Sequence, residues 1–209
     1  MPHLQDINTK IIDCYTENAA KFTGQYESLT PNDVFGSAIN LFPTKPSFVL
    51  DIGAGSGRDA AWMASLGHIV TAVEPSEGMR NLAIANHADQ PITWIADMLP
   101  NLDLVTPPEN GFDFILISAV WMHLTQANRT AALARLSEII ADDGSILISL
   151  RHGPSDPNRP MLPIDTAVEI QNANQAGFAK AETTSAEEDD KLGRGDVHWE
   201  LLVLSKKAV

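Results

Sequence analysis

The stretch VLDIGAGSGRDAAWMASLGH, residues 49–68, contains the turn that decides the fold. The apolar run that ends at Ile52 is typical of a short buried strand, and the residues after the turn have the apolar spacing of a helix. Between them stand Gly53, Gly55 and Gly57. Glycine permits positive φ and lets a ligand approach the backbone closely. The pattern predicts a strand, a glycine-rich turn and a helix whose N-terminus suits an anionic group.

The turn matches neither of two common nucleotide-binding motifs. A dinucleotide fingerprint, G-x-G-x-x-G, needs a third glycine where this sequence has Arg58. A phosphate-binding P-loop needs a lysine followed by serine or threonine after the glycines, and these residues are missing here. For the glycines taken alone, a tight strand-to-helix turn without a ligand is the alternative interpretation.

Two carboxylates follow the next two predicted strands. Glu74 comes after a strand over 68–73, and Asp97 comes after a strand over 92–96. Parallel strands end at one edge of an open α/β sheet, where such folds bind ligands, and a carboxylate there can accept hydrogen bonds from a ribose diol. Asp97, beside the apolar Met98, could bind an adenine amino group. Each carboxylate alone is also explained as a helix-start or turn residue, but together with the glycines they favour a nucleotide-type site.

The segment VLDIGAGSG, together with Glu74, Asp97 and the strand FDFILISAVWMHL, resembles class I S-adenosylmethionine (SAM)-dependent methyltransferases. The similarity is to the small bacterial stand-alone enzymes of the methyltransferase type 11/12/25 group, and it extends from about Tyr15 to Leu204. It implies an α/β, Rossmann-like, seven-stranded sheet with its last strand antiparallel, helices on both faces and an N-terminal helical lid. It also implies an enzyme that transfers a methyl group from SAM to a small-molecule acceptor by direct in-line displacement.

The resemblance further implies which residues hold the cofactor SAM. Asp51 and the backbone of Gly53–Gly57 would hold the methionine end, Glu74 the ribose hydroxyls, and Asp97 with Met98 the adenine. The end of the fourth strand would pass under the sulfonium. Aromatic side chains of the N-terminal segment could cover it, since aromatic faces attract a cation. The predicted cofactor-binding residues are Asp51, Gly53, Ala54, Gly55, Gly57, Glu74, Pro75, Met79, Asp97, Met98, Ser118, Ala119, Tyr15 and Tyr26.

The residues after the fourth and fifth strands are the candidates for binding the acceptor. His123 is the candidate base, because a neutral imidazole can take a proton from a hydroxyl or an ammonium group. Arginines bind carboxylates bidentately, so an acceptor with a carboxylate or similar anionic group is predicted. The alternatives are a histidine that packs or caps, a tryptophan in the core, and arginines neutralised by Asp156, Glu188 or Asp190. The predicted acceptor-binding residues are Trp121, Arg151, His152, Arg159 and Arg194.

Turn signals and apolar periodicity predict the elements outside these motifs. Thr166–Glu169 matches a capping box and predicts the first turn of a helix. Two consecutive strands close the chain, which suits the antiparallel last strand of the family that the chain resembles. The predicted bounds are helices over 4–22, 32–42 and 125–141, and strands over 178–186 and 197–205.

Length and composition predict one folded domain. The chain has 209 residues, 44% of them hydrophobic and 20% charged, which is ordinary for a globular protein. Its net charge of −13 repels phosphate backbones, so a nucleic-acid substrate is not expected. The single cysteine, Cys14, excludes an intramolecular disulfide and is expected to be a buried or neutral thiol. Residues 1–45 are predicted to form a helical cap or lid, and residues 46–209 the SAM-binding core.

The sequence shows neither a membrane span nor a secretion signal. The N-terminal segment MPHLQDINTK lacks an apolar core, and no run reaches ~18 apolar residues. We therefore expect a cytoplasmic protein without membrane contact. No metal site is expected, because His123, His152 and His198 are far apart and no cluster has metal-ligand spacing.

Two other functions are compatible with these patterns. One is a non-catalytic SAM-binding module, which the glycine turn does not exclude. The other is an NAD-dependent oxidoreductase on a similar sheet. The missing third glycine and the antiparallel-looking end of the chain count against the oxidoreductase.

Overall fold

The structure is a computed structural model that describes residues 4–184 and 188–206. A single mixed sheet forms its centre. Its strands are β1 (Phe48–Ile52), β2 (Ile69–Val73), β3 (Ile92–Ile95), β4 (Phe112–Ile117), β5 (Ile140–His152), β6 (Lys180–Thr183), β7 (Glu188–Asp189) and β8 (His198–Ser205).

The spatial order of the strands is β3-β2-β1-β4-β5-β8-β6, and the two-residue β7 pairs with β8 beside this path. Strands β1 to β5 are parallel, and β8 is antiparallel to both of its neighbours, β5 and β6. The strand order reverses at β1, where open α/β sheets have their ligand crevice. The predicted seven-stranded Rossmann-like sheet with an antiparallel last strand is confirmed, whereas β7 was not predicted.

Helices cover both faces of the sheet. Side chains alternate along β1, so that Leu50 and Ile52 pack with the helices over 126–139 and 166–175, whereas Val49 packs with the helices over 31–35 and 58–65. Burial of both faces explains why the central strands read as nearly continuous apolar runs. The helices are α1 (Leu4–Glu17), α2 (Ala19–Glu27), α3 (Pro31–Phe35), α4 (Arg58–Ser65), α5 (Glu77–Asn86), α6 (Gln126–Ile139) and α7 (Thr166–Gln175), with 3₁₀ turns over Gly36–Leu41 and Trp121–His123.

The N-terminal segment is more broken than the sequence predicted. The helix expected over 4–22 is interrupted at Asn18, whose side-chain amide donates to the backbone carbonyl of Cys14 and so competes with the helix. The helix expected over 32–42 changes to a 3₁₀ turn at Gly36, which has a φ of 45°. Both α1 and α2 contact α5, and the division into a cap and a core stays a prediction.

The start of α7 corrects the capping-box prediction. Asp165, rather than Thr166, is the N-cap, because its carboxylate accepts hydrogen bonds from backbone amides of the first helical turn. Glu169 does not return to the helix start and lies fully buried in the core. The sequence pattern could not distinguish these two roles for a glutamate.

The last part of the chain follows the prediction with shorter strands. The strand expected over 178–186 is observed as β6, and residues 185–187 lie outside the described part of the chain. The strand expected over 197–205 is β8. Within the described ranges, the helices are too short or too polar to cross a bilayer.

Candidate cofactor and acceptor site

A cavity of about 260 Å³ lies over the carboxyl ends of the central parallel strands. The size is close to the lower end of small-molecule sites, ~300–1,000 Å³. Its floor comes from the turns that follow β1, β2, β4 and β5, and its cover from α1, α2 and the loop 190–194. Sequence-distant elements thus meet where the strand order reverses.

The glycine turn and Glu74 form one hydrogen-bonded unit. Gly53, Gly55 and Gly57 have φ values of 71°, 56° and 83°. The Glu74 carboxylate accepts from the Gly55 amide through Oε2 and from the Ser76 amide through Oε1, both at 2.8 Å. Burial raises the pKa of Glu74. Each carboxylate oxygen has a second lone pair, so Glu74 holds the turn and can still accept from a ligand.

Asp51, at the end of β1, is a buried carboxyl that faces the same cavity. Its Oδ2 has no hydrogen-bond partner among the described residues. Burial raises the pKa of Asp51 well above its usual range, and the nearby charge of Asp59 adds to the effect. A cationic donor in the cavity would satisfy this oxygen and favour the ionised carboxylate.

Asp97 shapes the loop after β3. Its Oδ1 accepts from the Met98 amide at 2.8 Å, and its Oδ2 accepts from the Leu104 amide at 2.7 Å. Both Asp97 and Met98 also line the cavity. Asp97 therefore has the turn role considered from the sequence, and its side chain still lies beside the cavity.

The turns after β1 and β4 are in close contact. A Cβ added to Gly53 would lie 2.3 Å from Cγ2 of Val120, so only glycine fits there. Ala119 has a φ of 57°, and its amide donates to Oγ of Ser149 at 2.7 Å. Ser118, Ala119 and Val120 line the cavity. This turn therefore borders the cavity, and its path under the sulfonium stays a prediction.

His123 lies in a hydrogen-bonded chain that crosses the cavity. Its Nδ1 is 3.0 Å from the Pro160 carbonyl, which can only accept, so Nδ1 carries the proton and Nε2 is the acceptor. The Tyr15 hydroxyl lies 3.2 Å from Nε2 and donates to it. Nη1 of Arg159 donates to the hydroxyls of Tyr15 and Tyr26 at 3.1 and 3.3 Å. These hydrogen bonds therefore hold His123 as a neutral imidazole, with its basic nitrogen, Nε2, directed towards the N-terminal helices.

We expect the free energy of unfolding to fall as the pH drops from about 6.5 towards 4. Burial, with the charges of Arg159 and Arg151, lowers the pKa of His123 to about 4. Below pH ~6.5 the unfolded chain binds a proton that folded His123 does not, so acid favours unfolding by up to about 3 kcal/mol. Urea denaturation of the parent and of His123→Gln across this range measures the effect. The prediction is contradicted if the free energy of unfolding depends on pH equally in the parent and in His123→Gln.

The three predicted arginines all line the cavity but differ in their partners. Arg194 forms an ion pair with Asp190, whose pKa is lowered to about 2 because hydrogen bonds from Arg194 and Trp199 outweigh the opposing effect of burial. Arg151 donates through Nη1 to the Pro154 carbonyl at 2.9 Å. No ion pair of Arg151 is found within the described ranges.

Comparisons with known proteins agree with this geometry. Residues 49–144 match the family model described as a methyltransferase domain. A protein of Staphylococcus carnosus, named as an uncharacterised methyltransferase, is 32% identical over 108 residues, which are 52% of this chain and 49% of that protein. Residues 49–144, a little under half of the chain, are therefore similar to the methyltransferase domain. The chain spans about half the length of the curated relatives it matches.

Solved structures share the fold beyond this methyltransferase domain. A SAM-dependent methyltransferase of Thermotoga maritima has a TM-score of 0.66 at 16% identity, over 94% of this chain and all of that one. The 1,6-didemethyltoxoflavin-N1-methyltransferase of Burkholderia thailandensis, solved with its substrate and S-adenosylhomocysteine, has a TM-score of 0.60 at 21% identity. That match covers 92% of this chain and 90% of the other. At these identities the similarity shows the fold.

Four predicted site residues are outside the lining of the cavity. Gly57 faces the side chains of His87 and Trp94, and Met79 is buried in α5, where its sulfur accepts from Thr23. These contacts give both residues a packing role, and their contact with the cofactor stays a prediction. The others are Trp121 and His152.

Trp121 is a core residue and does not form the wall of an acceptor pocket. Its side chain is fully buried, and Nε1 donates to Oε2 of Glu169 at 3.0 Å. His152 is paired with Glu200 at 2.9 Å and stacks on His198, which lies opposite it in the β5–β8 ladder. Trp121 follows β4 and His152 is the last residue of β5, but their side chains point to other partners.

Sequence reasoning missed several residues that line the cavity. Arg58 and Asp59 form an ion pair at 2.8 Å, and Nη1 of Arg58 also donates to the Tyr26 carbonyl, which ties α2 to the glycine turn. The loop residues Asp190 and Leu192 reach the cavity as well. An antiparallel last strand begins at the sheet edge where the parallel strands end, so the loop before it lies at the ligand edge. The predicted antiparallel strand could therefore have identified the polar loop as part of the site.

Proposed function

We propose that this chain transfers a methyl group from SAM to a small-molecule acceptor. The observation that carries the proposal is the partnerless, buried Oδ2 of Asp51, which faces the cavity that the glycine turn, Glu74 and Asp97 also line. The match of residues 49–144 to the methyltransferase domain model supports it. So does the structure of the Burkholderia thailandensis relative in fold, which was solved with S-adenosylhomocysteine.

The residues around the cavity fit the three parts of SAM. The α-ammonium of the methionine end would satisfy Asp51, the ribose hydroxyls would donate to Glu74, and the adenine would lie beside Asp97 and Met98. When bound, SAM supplies a methyl group on a positively charged sulfur, which the acceptor's nucleophile takes by in-line displacement, leaving S-adenosylhomocysteine. The chain then has to align the acceptor and exclude water, and α1 with α2 covers the cavity for this purpose.

His123 lies where an acceptor could meet it and is proposed as the base, although burial makes it a weaker base than a free imidazole. Its Nε2 accepts a hydrogen bond from Tyr15 and is unprotonated at neutral pH, because burial lowers the pKa of His123 to about 4. An acceptor hydroxyl or ammonium that replaces the Tyr15 hydroxyl gives its proton to Nε2, and the nucleophile keeps the electron pair. Nε2 holds the proton as an imidazolium and then releases it to solvent, which restores the neutral imidazole.

Methyl transfer is tested with SAM that carries a labelled methyl group. Purified protein is incubated with labelled SAM and a panel of small hydroxy, amino and thiol compounds, and both labelled product and S-adenosylhomocysteine are measured. We expect label in at least one acceptor, with one S-adenosylhomocysteine formed per methyl transferred. Tight binding of SAM without transfer to any acceptor would instead favour the non-catalytic SAM-binding module.

We expect Glu74→Ala to weaken the binding of S-adenosylhomocysteine about 10- to 100-fold, because two charge-assisted hydrogen bonds to the ribose are lost. The same change removes the carboxylate that holds the Gly55 amide. Glu77→Ala is the control, because Glu77 is an exposed acidic residue in the first turn of α5. Calorimetry measures both variants. Parent-like affinity in Glu74→Ala would show that Glu74 does not bind the cofactor.

A further inference from the structure

We infer that the acceptor carries an oxyanion group, a carboxylate or a phosphate, that Arg151 and Arg159 bind in the half of the cavity away from Asp51. The inference rests on the proposed methyl transfer and names the chemical class of its acceptor. Three observations carry it: the two guanidinium groups have donors without a partner in the described part of the chain, positive charge surrounds them, and carboxylates near them are few or distant.

Both guanidinium groups have hydrogen-bond donors without a partner. The Nε atoms of Arg151 and Arg159 are buried and have no acceptor within the described part of the chain. The two residues are only 6% and 9% exposed, and both line the cavity. Buried donors without a partner are costly, and charged ones more so. A ligand with acceptor oxygens on this side of the cavity would remove that cost.

The positive charge here is only partly balanced by the described carboxylates. Asp190 neutralises Arg194, whereas Asp156 lies 4.0 Å from Arg159 and its side chain is 43% exposed. Burial lowers the pKa of Arg151, and the charges of Arg194 and Arg159 lower it further. The neutralisation considered from the sequence therefore applies to Arg194 and, at a longer distance, to Arg159. Positive charge is concentrated at Arg151 and Arg159, although the lining of the whole cavity has as many acidic as basic residues.

Aromatic side chains hold Arg159 in place for this role. Its guanidinium carbon lies 5.3 Å from the ring centre of Tyr15 and 5.0 Å from that of Phe22, which are cation–π distances. Nη1 is occupied by the two tyrosine hydroxyls, so Nε and Nη2 are the donors that an oxyanion can meet. A fixed planar fork of this kind favours bidentate oxyanions.

The same arrangement links anion binding to His123. Arg159 and Arg151 are among the charges that lower the pKa of His123. An oxyanion that neutralises them raises the proton affinity of Nε2 at the moment when the acceptor arrives. The anionic end of the acceptor would then lie at the arginines, with its nucleophile between His123 and the cofactor-binding residues.

The test measures anion binding directly, without turnover. Protein saturated with S-adenosylhomocysteine is titrated with benzoate, with neutral benzamide of the same shape, and with inorganic phosphate. The arginine Nε–Hε signals are followed by NMR and assigned with Arg151→Met and Arg159→Met. Arg151→Lys keeps the charge in case the methionine variant does not fold. Lys45→Met is the control for net charge, because Lys45 is exposed and outside the cavity.

We expect saturable shifts of the Arg151 and Arg159 signals with benzoate or phosphate and none with benzamide. Arg151→Met should weaken anion binding about tenfold or more, whereas Lys45→Met should leave it unchanged and S-adenosylhomocysteine affinity should stay the same in both. Saturation by benzoate alone indicates a carboxylate, and saturation by phosphate alone a phosphate. Equal shifts with benzamide, or no shift with either anion, would overturn the inference. If S-adenosylhomocysteine itself does not bind, the proposed function fails instead.

Discussion

Glu169→Ala is expected to lower the free energy of unfolding by about 3–5 kcal/mol, because it leaves the buried Arg129 without its carboxylate. The Arg129 side chain is 2% exposed and the Glu169 side chain 0%, with 3.4 Å between Nη1 and Oε1. The variant also takes the acceptor from Nε1 of Trp121. An uncompensated buried charge and an unpaired indole N–H act together here.

The same network supports the segment that carries His123. Arg129 donates to the carbonyls of Trp121 and Pro163, and the Leu162 amide donates to the Met122 carbonyl at 2.7 Å. These bonds join the turn that carries His123 to the loop that follows β5. Destabilisation by Glu169→Ala should therefore be accompanied by a less ordered His123.

Urea denaturation compares Glu169→Ala with Glu138→Ala. Glu138 also pairs with an arginine, Arg135, but its side chain is 67% exposed, so its loss should change the free energy of unfolding by less than about 1 kcal/mol. Glu169→Gln keeps an acceptor for Trp121 and separates the hydrogen bond from the charge. A change below about 1 kcal/mol in Glu169→Ala would show that the buried pair does not stabilise the fold.

Gly55→Val is expected to weaken the binding of SAM and S-adenosylhomocysteine about 100-fold or more while the protein stays folded. Gly55 lines the cavity with a φ of 56°. The nearest atoms to a Cβ there belong to Tyr26, Met79 and the Gly53 carbonyl, at 3.8–3.9 Å, so the protein has room for it and the branched side chain occupies ligand space. A positive φ adds strain of about 1–3 kcal/mol.

The matched control for this variant is Gly67→Val. Gly67 follows α4 with a φ of 89° and has open space where a Cβ would lie, so it carries the same backbone strain away from the cavity. Calorimetry should give parent-like affinity for Gly67→Val and no measurable binding for Gly55→Val. Equal affinity in the two variants would show that the cofactor does not bind at the glycine turn.

The cofactor side of the cavity was largely predictable because its residues follow consecutive strands. Asp51, Glu74 and Asp97 each end a parallel strand, and strand order places those ends together. The local sequence pattern does not show which partner a polar side chain has. Glu169 matches a capping box, yet its side chain is buried beside Arg129. The packing of Gly57 against Trp94 was likewise a tertiary contact that spacing cannot show.

The acceptor side could be predicted only in part, because its contacts join distant segments. Tyr15 and His123 are 108 positions apart and meet only when α1 covers the sheet edge. Residues after β5 were expected near the site, yet Arg151 faces the cavity whereas the next residue, His152, turns to Glu200. Alternation along a strand gives opposite directions to neighbours, and the sequence does not say which face the cavity occupies.

The most direct test of the central claim is a calorimetric titration of the parent protein with S-adenosylhomocysteine, with NAD titrated in parallel. The cavity is proposed as a SAM site on the basis of Asp51, Glu74 and Asp97. The account predicts saturable binding of one S-adenosylhomocysteine per chain, with a Kd of about 1–100 μM, and no saturable heat from NAD. Saturable binding of NAD without binding of S-adenosylhomocysteine, or binding of neither, would contradict it.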